Sequence, residues 1–486
     1  YYVLNSVGVR GTASITVIDE STGQPLKNVN VKIVSASAKT DSSGVAEVKE
    51  VKLGKQTLTI EKRAFAPQQE SITVKLGKNT LPQVRLKPTG VQYAFVVNDY
   101  LSGKPVDKAE ASSGEATALS DGDGKIKLTI DASDDDKPFD VTMKKEGYRD
   151  EKVAMTSDIK TEQIINIVPS RKHAFVSKRS GKYDVFSIDV DGKNEKLLLA
   201  GTGSEKDDIA LAIQPNNDVI ALVSTRDNKT NKDGFLLSTL TIIQPESGEA
   251  SSVTTSERVQ VVDWIGDNLI YVQATEGASA TNPKRHRLMS YNYKTKQNNE
   301  LASSNYFNDV VVAGDKIYYA PSSAYQKNGA ELYRVNSDGG NKTTILNQEV
   351  WNIFRIDYDN LALSVGKSWY NVRIGEDKAT VLPSQPSNLV SRIYVDANDK
   401  KNSLWVDNRD GKGVLLNYKI DTKDEQTLRS QSGLKNPIRW LNNKDVIYRV
   451  SNDQETADYV LSLDGGEPKK IIDVTNTNSI DKWYYY

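Results

Sequence analysis

The sequence predicts an all-β protein in which two tandem β-sandwich domains precede a seven-bladed β-propeller. Three observations support this prediction. An internal repeat with an offset of 80 residues occupies the first third of the 486-residue chain. From residue 172 onward, short apolar strand cores recur every 42 to 50 residues. Between the turns, apolar and polar residues alternate, which is the pattern of strands that bury one face.

The front repeat is carried by two motifs in one register. Residues 19–26 (DESTGQPL) recur as residues 99–106 (DYLSGKPV), and the Thr-Asp-Ser-Ser-Gly turn at residues 40–44 recurs at 120–124. The order of these elements resembles the carboxypeptidase regulatory-like domain, which has a strand, a Gly-x-Pro turn, a strand, an Asp-x-x-Gly turn and a further strand. That resemblance implies a transthyretin-like, immunoglobulin-like sandwich. We therefore expect one such domain at residues 1–88 and a second at residues 89–169.

The longer period of the second part is typical of propeller blades, because a four-stranded blade takes about 40 to 50 residues. An upstream strand precedes five interior strand cores, but the first core lacks one. The C-terminal residues 480–486 have the form of that missing strand. We therefore expect seven blades at residues 172–486, closed by the C-terminal strand, with six or eight blades as alternatives. The seven strand cores are centred on Phe175, Ala221, Tyr271, Tyr318, Leu363, Trp405 and Tyr448.

Residues 174–192 (AFVSKRSGKYDVFSIDVDG) contain a strand, a Ser-x-Arg-x-Gly hairpin and an Asp-x-Asp-Gly turn. These motifs resemble the TolB-like, or WD40-like, β-propeller family, and residues 405–411 repeat part of them. The resemblance implies a platform that binds a protein or another ligand. It does not imply the partners of TolB itself.

Composition excludes several function classes. The 63 Lys and Arg nearly balance the 64 Asp and Glu, so no cationic excess favours a nucleic-acid partner. The absence of Cys removes disulfides, thiolate metal sites and Cys nucleophiles. His173 and His286 are the only imidazoles, no Gly-x-Ser-x-Gly elbow accompanies them, and the hydrolase domain of propeller peptidases is missing. We therefore expect a protein that is not an enzyme and holds no cofactor.

A few residues stand out as candidate sites. Asp121 and Asp123 lie in an Asp-rich turn that could offer oxygen ligands to calcium, although an Asp capping its own turn explains the same pattern. Exposed Trp and Tyr favour protein interfaces and stack on sugars, although they are also common strand residues. Residues 284–287 (KRHR) form a basic segment that we expect to lie in a solvated loop, with an anion site as the alternative. The binding candidates are Trp351, Trp369, Trp483, Tyr484, Arg285 and His286.

These features favour a non-enzymatic, extracytoplasmic binding or scaffold protein that presents its propeller at the bacterial cell surface. Its partner would be a protein or a cell-envelope glycan. Carbohydrate binding is the first alternative, because the transthyretin-like fold resembles starch-binding modules, and a propeller-based lyase or glycosidase is the second. The chain opens on Tyr1 rather than Met, so we expect a segment upstream of Tyr1, which is either a membrane anchor or a cleaved signal peptide, with an ordinary frayed terminus as the alternative.

Overall fold

A computed structural model describes residues 8–134, 137–206, 209–216, 218–324, 330–390 and 392–475. The described residues form strands, turns and loops. Their contacts divide the chain into two compact units, residues 1–170 and residues 171–486. Each unit has its own hydrophobic core.

The first sandwich packs two sheets face to face. In one sheet β1 lies between β4 and β7, and β8 also pairs with β1; the other sheet has the order β3-β2-β5-β6. Alternate residues of β1 are buried in the core, as the period-2 pattern predicts. The strands are β1 (Arg10–Asp19), β2 (Asn30–Ile33), β3 (Ala36–Lys39), β4 (Val45–Lys52), β5 (Gly54–Glu61), β6 (Gln68–Val74), β7 (Gly77–Thr80) and β8 (Val84–Leu86).

The second sandwich repeats this topology. Its sheets have the orders β12-β9-β15 and β11-β10-β13-β14, and β15 runs parallel to β9 as β8 does to β1. The strands are β9 (Val91–Asp99), β10 (Glu110–Ser113), β11 (Ala116–Leu119), β12 (Lys125–Ile130), β13 (Phe139–Lys144), β14 (Glu151–Met155) and β15 (Gln163–Ile167).

Buried hydroxyls show that the two sandwiches repeat in detail. The Thr40 hydroxyl donates to the carbonyl of Leu26 at 2.5 Å and accepts from the amide of Val29 at 2.9 Å. Eighty residues later, the Ser120 hydroxyl makes the same two bonds, to Val106 and Ala109, at 2.6 and 2.8 Å. Each hydroxyl therefore joins the two turns whose motifs recur in the sequence.

The two sandwiches share a close junction. The amides of Thr89 and Gly90 both donate to the carbonyl of Ala64, at 2.8 and 3.0 Å. A Cβ atom at Gly90 would lie 2.2 Å from the carbonyl oxygen of Ile130 in the second sandwich and 2.8 Å from the Cβ atom of Ala64 in the first, so only glycine allows this approach. Lys27 of the first sandwich forms a 2.7 Å salt bridge with Glu110 of the second. These contacts hold the tandem in one arrangement.

The second unit is a β-propeller. Within its described residues, seven antiparallel sheets follow one another along the chain, the first with three strands and the others with four. The strands, sheet by sheet, are β16 (His173–Ser177), β17 (Asp184–Ile188), β18 (Lys196–Leu199); β19 (Ala210–Ile213), β20 (Ile220–Ser224), β21 (Ser238–Ile243), β22 (Ala250–Ser256); β23 (Arg258–Ile265), β24 (Asn268–Ala274), β25 (His286–Asn292), β26 (Asn298–Ser304); β27 (Phe307–Ala313), β28 (Lys316–Pro321), β29 (Leu332–Asn336), β30 (Thr343–Leu346); β31 (Asn352–Arg355), β32 (Asn360–Val365), β33 (Ser368–Arg373), β34 (Ala379–Leu382); β35 (Tyr394–Val395), β36 (Asn402–Arg409), β37 (Lys412–Lys419), β38 (Asp424–Gln431); β39 (Leu434–Trp440), β40 (Asp445–Ser451), β41 (Thr456–Ser462) and β42 (Gly465–Asp473).

The predicted strand cores coincide with these sheets. Phe175 lies in β16, and each of the other six predicted centres lies in the second strand of its sheet. The predicted closing strand at residues 480–486 lies outside the described residues, so the number of blades stays a prediction. The last described segment does reach the first sheet, because the amide of Thr475 donates to the carbonyl of Val176 at 3.1 Å.

Candidate functional site

A charge cluster links the third and sixth sheets of the propeller. Asp263 is in β23, the first strand of the third sheet, and Arg392 lies two residues before β35, the first strand of the sixth. Their side chains form a salt bridge, although 129 residues separate them in the chain. Two complete sheets lie between them in sequence, so these side chains meet across the central channel rather than along the ring. Arg355, at the end of β31, belongs to the same cluster through its charge interaction with Asp263.

Burial shifts the pKa values of Asp263 and Arg355 in this cluster. Burial raises the pKa of Asp263 above its ordinary value, although Arg392 and Arg355 oppose the shift. Burial also lowers the pKa of Arg355 to about 10, so this guanidinium stays charged at neutral pH. Its Nη2 donates to the carbonyl of Tyr358 at 2.8 Å. Arg392 bonds to this carboxylate and the charge of Arg355 acts on it from farther away, so the cluster forms a cross-link between sheets or a centre that recognises an anion.

A second buried cluster joins the first sheet to the last. Nε2 of His173 in β16 lies 2.7 Å from Oδ2 of Asp458 in β41. Arg449 donates two hydrogen bonds to the same carboxylate, at 2.8 and 3.0 Å. Nη2 of Arg439 lies 3.0 Å from Nδ1 of His173. Because a guanidinium only donates, Nδ1 must accept, and the proton of the neutral imidazole lies on Nε2.

The pKa shifts agree with a neutral imidazole at His173. Burial lowers the pKa of His173, and the hydrogen bond to Asp458 opposes that shift only in part. Burial by itself would raise the pKa of Asp458, but the hydrogen bond from His173 and the charge of Arg449 outweigh it. The pKa of Asp458 therefore lies below its ordinary range, and the carboxylate stays ionised. The side chain of His173 is 5% exposed, so the imidazole links the first sheet to the last and does not face solvent.

The other imidazole is also buried. His286 is the first residue of β25, and its Nδ1 lies 2.7 Å from the carbonyl oxygen of Asn305, which places a proton on Nδ1. Burial lowers its pKa to about 4. The expectation that residues 284–287 form a solvated loop is therefore wrong for His286, because the third strand of the sheet begins there and takes the imidazole into the interior.

Connections between strands place the binding candidates at one end of the propeller. Strand directions alternate within each sheet, so the connection from second to third strand and the connection to the next sheet emerge at the same end. We call this end the loop face. Trp351 directly precedes β31 and is 54% exposed, Trp369 is the second residue of β33, and Arg285 precedes β25. Binding candidates from two different sheets thus lie on the same face of the propeller.

The loop face also carries residues that the sequence pattern did not single out. Phe235, in the connection from β20 to β21, is 72% exposed. A large apolar residue among polar loop residues was the available signal. The ring of Trp369 lies 6.1 Å from that of Phe354. Trp483 and Tyr484 lie outside the described residues, and their binding role stays a prediction.

The Asp-rich turn of the second sandwich is explained by backbone capping. Oδ1 of Asp121 accepts hydrogen bonds from the amides of Asp123 and Lys125, at 3.0 and 2.8 Å. In the first sandwich, Asp41 caps the equivalent turn. Within the described ranges, no group of three or more His, Cys, Asp or Glu side chains is placed to hold a metal ion. The same part of the chain has no helix long and apolar enough to cross a membrane.

Together, the strand pairing and these clusters define an all-β protein with two sandwich domains and a propeller. Residues 12–87, which form the first sandwich, match the family model of the carboxypeptidase regulatory-like domain. No curated protein matches the chain.

Several solved propeller structures are similar to this chain. The β-propeller domain of the trilobed protease from Pyrococcus furiosus is 10% identical, over 76% of this chain and 97% of that one, with a TM-score of 0.41. TolB from Acinetobacter baumannii is 14% identical over 60% and 77%, with a TM-score of 0.33. Oligogalacturonate lyase from Vibrio parahaemolyticus is 11% identical over 62% and 75%, with a TM-score of 0.27. The propeller assignment rests on the strand pairing described above.

Proposed function

We propose that this protein is a non-enzymatic binding protein whose propeller holds a protein partner on its loop face. The observation that carries the proposal is the exposure of Phe235 and Trp351 on that face, at 72% and 54%. Large exposed aromatic side chains lose more water-accessible area on binding than other residues, and Trp in particular is enriched among the residues that dominate protein interfaces.

Charge near Phe235 and Arg285 indicates the kind of partner. The connections at residues 225–237 and 275–285 carry five Lys and Arg against three Asp and Glu. A cationic excess beside an aromatic side chain complements a protein surface with acidic and apolar groups. We therefore propose an acidic protein as the partner.

The state of the imidazoles supports a binding role over a catalytic one. His173 and His286 are both buried, and each uses a ring nitrogen on a structural contact. Arginine dominates the channel cluster and does not act as a general acid or base at neutral pH. A lyase or glycosidase would need an acid and a base at a site open to substrate, so we rank that alternative below binding.

For the cellular location, we propose the cell envelope or the cell surface of a bacterium. Carboxypeptidase regulatory-like domains and TolB-like propellers are typical of periplasmic and surface proteins, which supports this location. Fractionation of cells that express the tagged chain tests it, and a pool confined to the cytosol would contradict it.

The binding test uses the full chain as bait in native envelope extract, with captured proteins quantified by mass spectrometry. The F235A/W351A double variant should lose the captured protein at least tenfold. Val381→Ala is the matched control, because Val381 is 69% exposed in β34, the outermost strand of its sheet. A captured protein should then bind the purified wild-type chain directly, more tightly at low salt than at high salt. Equal capture by all three proteins, or no capture at all, would contradict the proposal.

A further inference from the structure

A cleft of about 490 Å³ lies between the two sandwiches. Asn30, Lys39 and Lys62 line it from the first sandwich, and Ser113, Glu115 and Phe139 line it from the second. Its volume lies within the range of small-molecule binding sites. The cleft exists only where the two repeats are joined, so neither sandwich contains it by itself.

Lys62 anchors the floor of the cleft. Its ammonium donates to the carbonyl of Lys27 at 2.8 Å and lies 3.5 Å from the carbonyl of Glu115 across the junction. An ammonium has three N–H groups, so this side chain can serve a further acceptor. Burial lowers the pKa of Lys62, while the nearby charge of Glu115 opposes the shift. A ligand hydroxyl at this point would replace part of the lost hydration.

The lining of the cleft is balanced in charge and polar in chemistry. Among its described residues are four cations, four acids, two asparagine amides and three hydroxyls, against four apolar side chains. Arg63 is already held by Asp134, with bonds of 3.0 and 3.1 Å. A strongly charged ligand would meet as much repulsion as attraction here, and an apolar ligand would leave these groups without water. The lining therefore suits a neutral ligand that both donates and accepts hydrogen bonds.

Phe139 adds an apolar surface to this polar lining. It is the first residue of β13 and remains partly exposed at the cleft. Tyr93 contacts it in an edge-to-face arrangement, with ring centroids 5.2 Å apart and planes at 71°. A fixed aromatic ring beside acids, amides and ammonium groups is the combination that recognises a sugar, whose faces are apolar and whose rim carries hydroxyls.

We propose that the cleft between the two sandwiches binds a neutral oligosaccharide. The Asn30 amide and the Lys39 and Lys62 ammonium groups bind its hydroxyls from one side, and Glu115 accepts from the other. Phe139 packs against a sugar ring. The tandem repeat then has a chemical reason, since both copies are needed to form the site. The proposal does not depend on the role of the propeller.

Calorimetric titration of the full chain with neutral hexaoses tests the proposal. The probes are maltohexaose, cellohexaose, mannohexaose and N-acetylchitohexaose, with hexagalacturonate as the charged comparison. We expect one neutral hexaose to bind with one-to-one stoichiometry and more tightly than hexagalacturonate. The N30A/K39A variant should weaken that binding at least tenfold, because two polar contacts of the rim are removed.

Matched variants separate loss of binding from loss of folding. Lys32 lies on β2 beside Asn30 and is exposed outside the cleft, so Lys32→Ala should bind as wild type does. Ser113→Trp fills the cleft and should abolish binding while the unfolding midpoint stays close to wild type. Binding that survives in both cleft variants, preference for hexagalacturonate, or no binding of any neutral hexaose would each overturn the proposal. The loop-face variant F235A/W351A should keep its sugar binding.

Discussion

Replacing Asp458 by Asn should destabilise the propeller strongly. The carboxylate is 2% exposed and receives bonds from His173 and from Arg449. Asparagine preserves the volume of the side chain but removes the negative charge. Arg449 would then remain buried with no opposite charge to compensate it. Removing one partner of a buried ion pair costs about 3–5 kcal/mol, and we expect the free energy of unfolding to fall by that amount.

Tryptophan fluorescence during urea unfolding measures this change in the propeller alone. All six Trp residues lie between residues 264 and 483, and the sandwiches contain none. Glu300→Gln is the matched control, because Glu300 forms a 2.7 Å salt bridge with Arg287 between β25 and β26, with side chains 33% and 36% exposed. Exposed pairs contribute less than about 1 kcal/mol. If the unfolding free energies of the D458N and E300Q variants lie within about 1 kcal/mol of each other, the buried cluster of His173, Asp458 and Arg449 does not stabilise the propeller by the expected amount.

Two further predictions concern the same unit. Folding lowers the pKa of His173 and lowers the pKa of His286 to about 4. As the pH falls, these two imidazoles therefore bind protons in the unfolded chain before they do so in the folded chain. Stability should be complete above about pH 6.5 and should fall as pH drops toward 4, by roughly 3 kcal/mol from His286; a urea midpoint that stays flat over this interval would contradict the burial of the imidazoles. A Cβ atom at Gly413 in β37 would lie 1.9 Å from the carbonyl oxygen of Leu434 in the next sheet. Gly413→Ala should therefore cost about 1–3 kcal/mol in the same assay, and an unchanged midpoint would show that the two sheets can move apart freely.

Local patterns predicted most of the fold. The 80-residue offset in the motifs reappears as the paired hydroxyls of Thr40 and Ser120, because each motif carries the turn that its hydroxyl joins. The strand cores were predictable since period-2 alternation and turn residues depend only on neighbours in the chain. The exposure of Trp351 was consistent with its place in a connection between sheets.

Contacts between distant segments were not predictable in this way. Asp263 and Arg392 are 129 residues apart, and their pairing depends on which sheets face each other across the channel. The position of His286 was mistaken because three adjacent basic residues mark the segment as polar, while strand pairing carries the imidazole inward. The cleft between the sandwiches depends on the junction at Gly90, which is crowded by Ile130 of the second sandwich and by Ala64 of the first, so its need for glycine appears only once the two repeats are packed together.

The bond between His173 and Asp458 has a consequence for how the chain folds as it is made. The two residues are 285 positions apart, so the first sheet cannot acquire its final neighbour until the last has been synthesised. At about 5–20 residues per second, that wait is roughly 15–60 s. The sandwiches pair strands whose residues lie at most 68 positions apart and can fold within this interval, whereas the growing propeller keeps an open edge. Long-range closure of this kind is slow and prone to aggregation, so we expect the yield of the propeller to depend on synthesis rate and on chaperones more than that of the sandwiches.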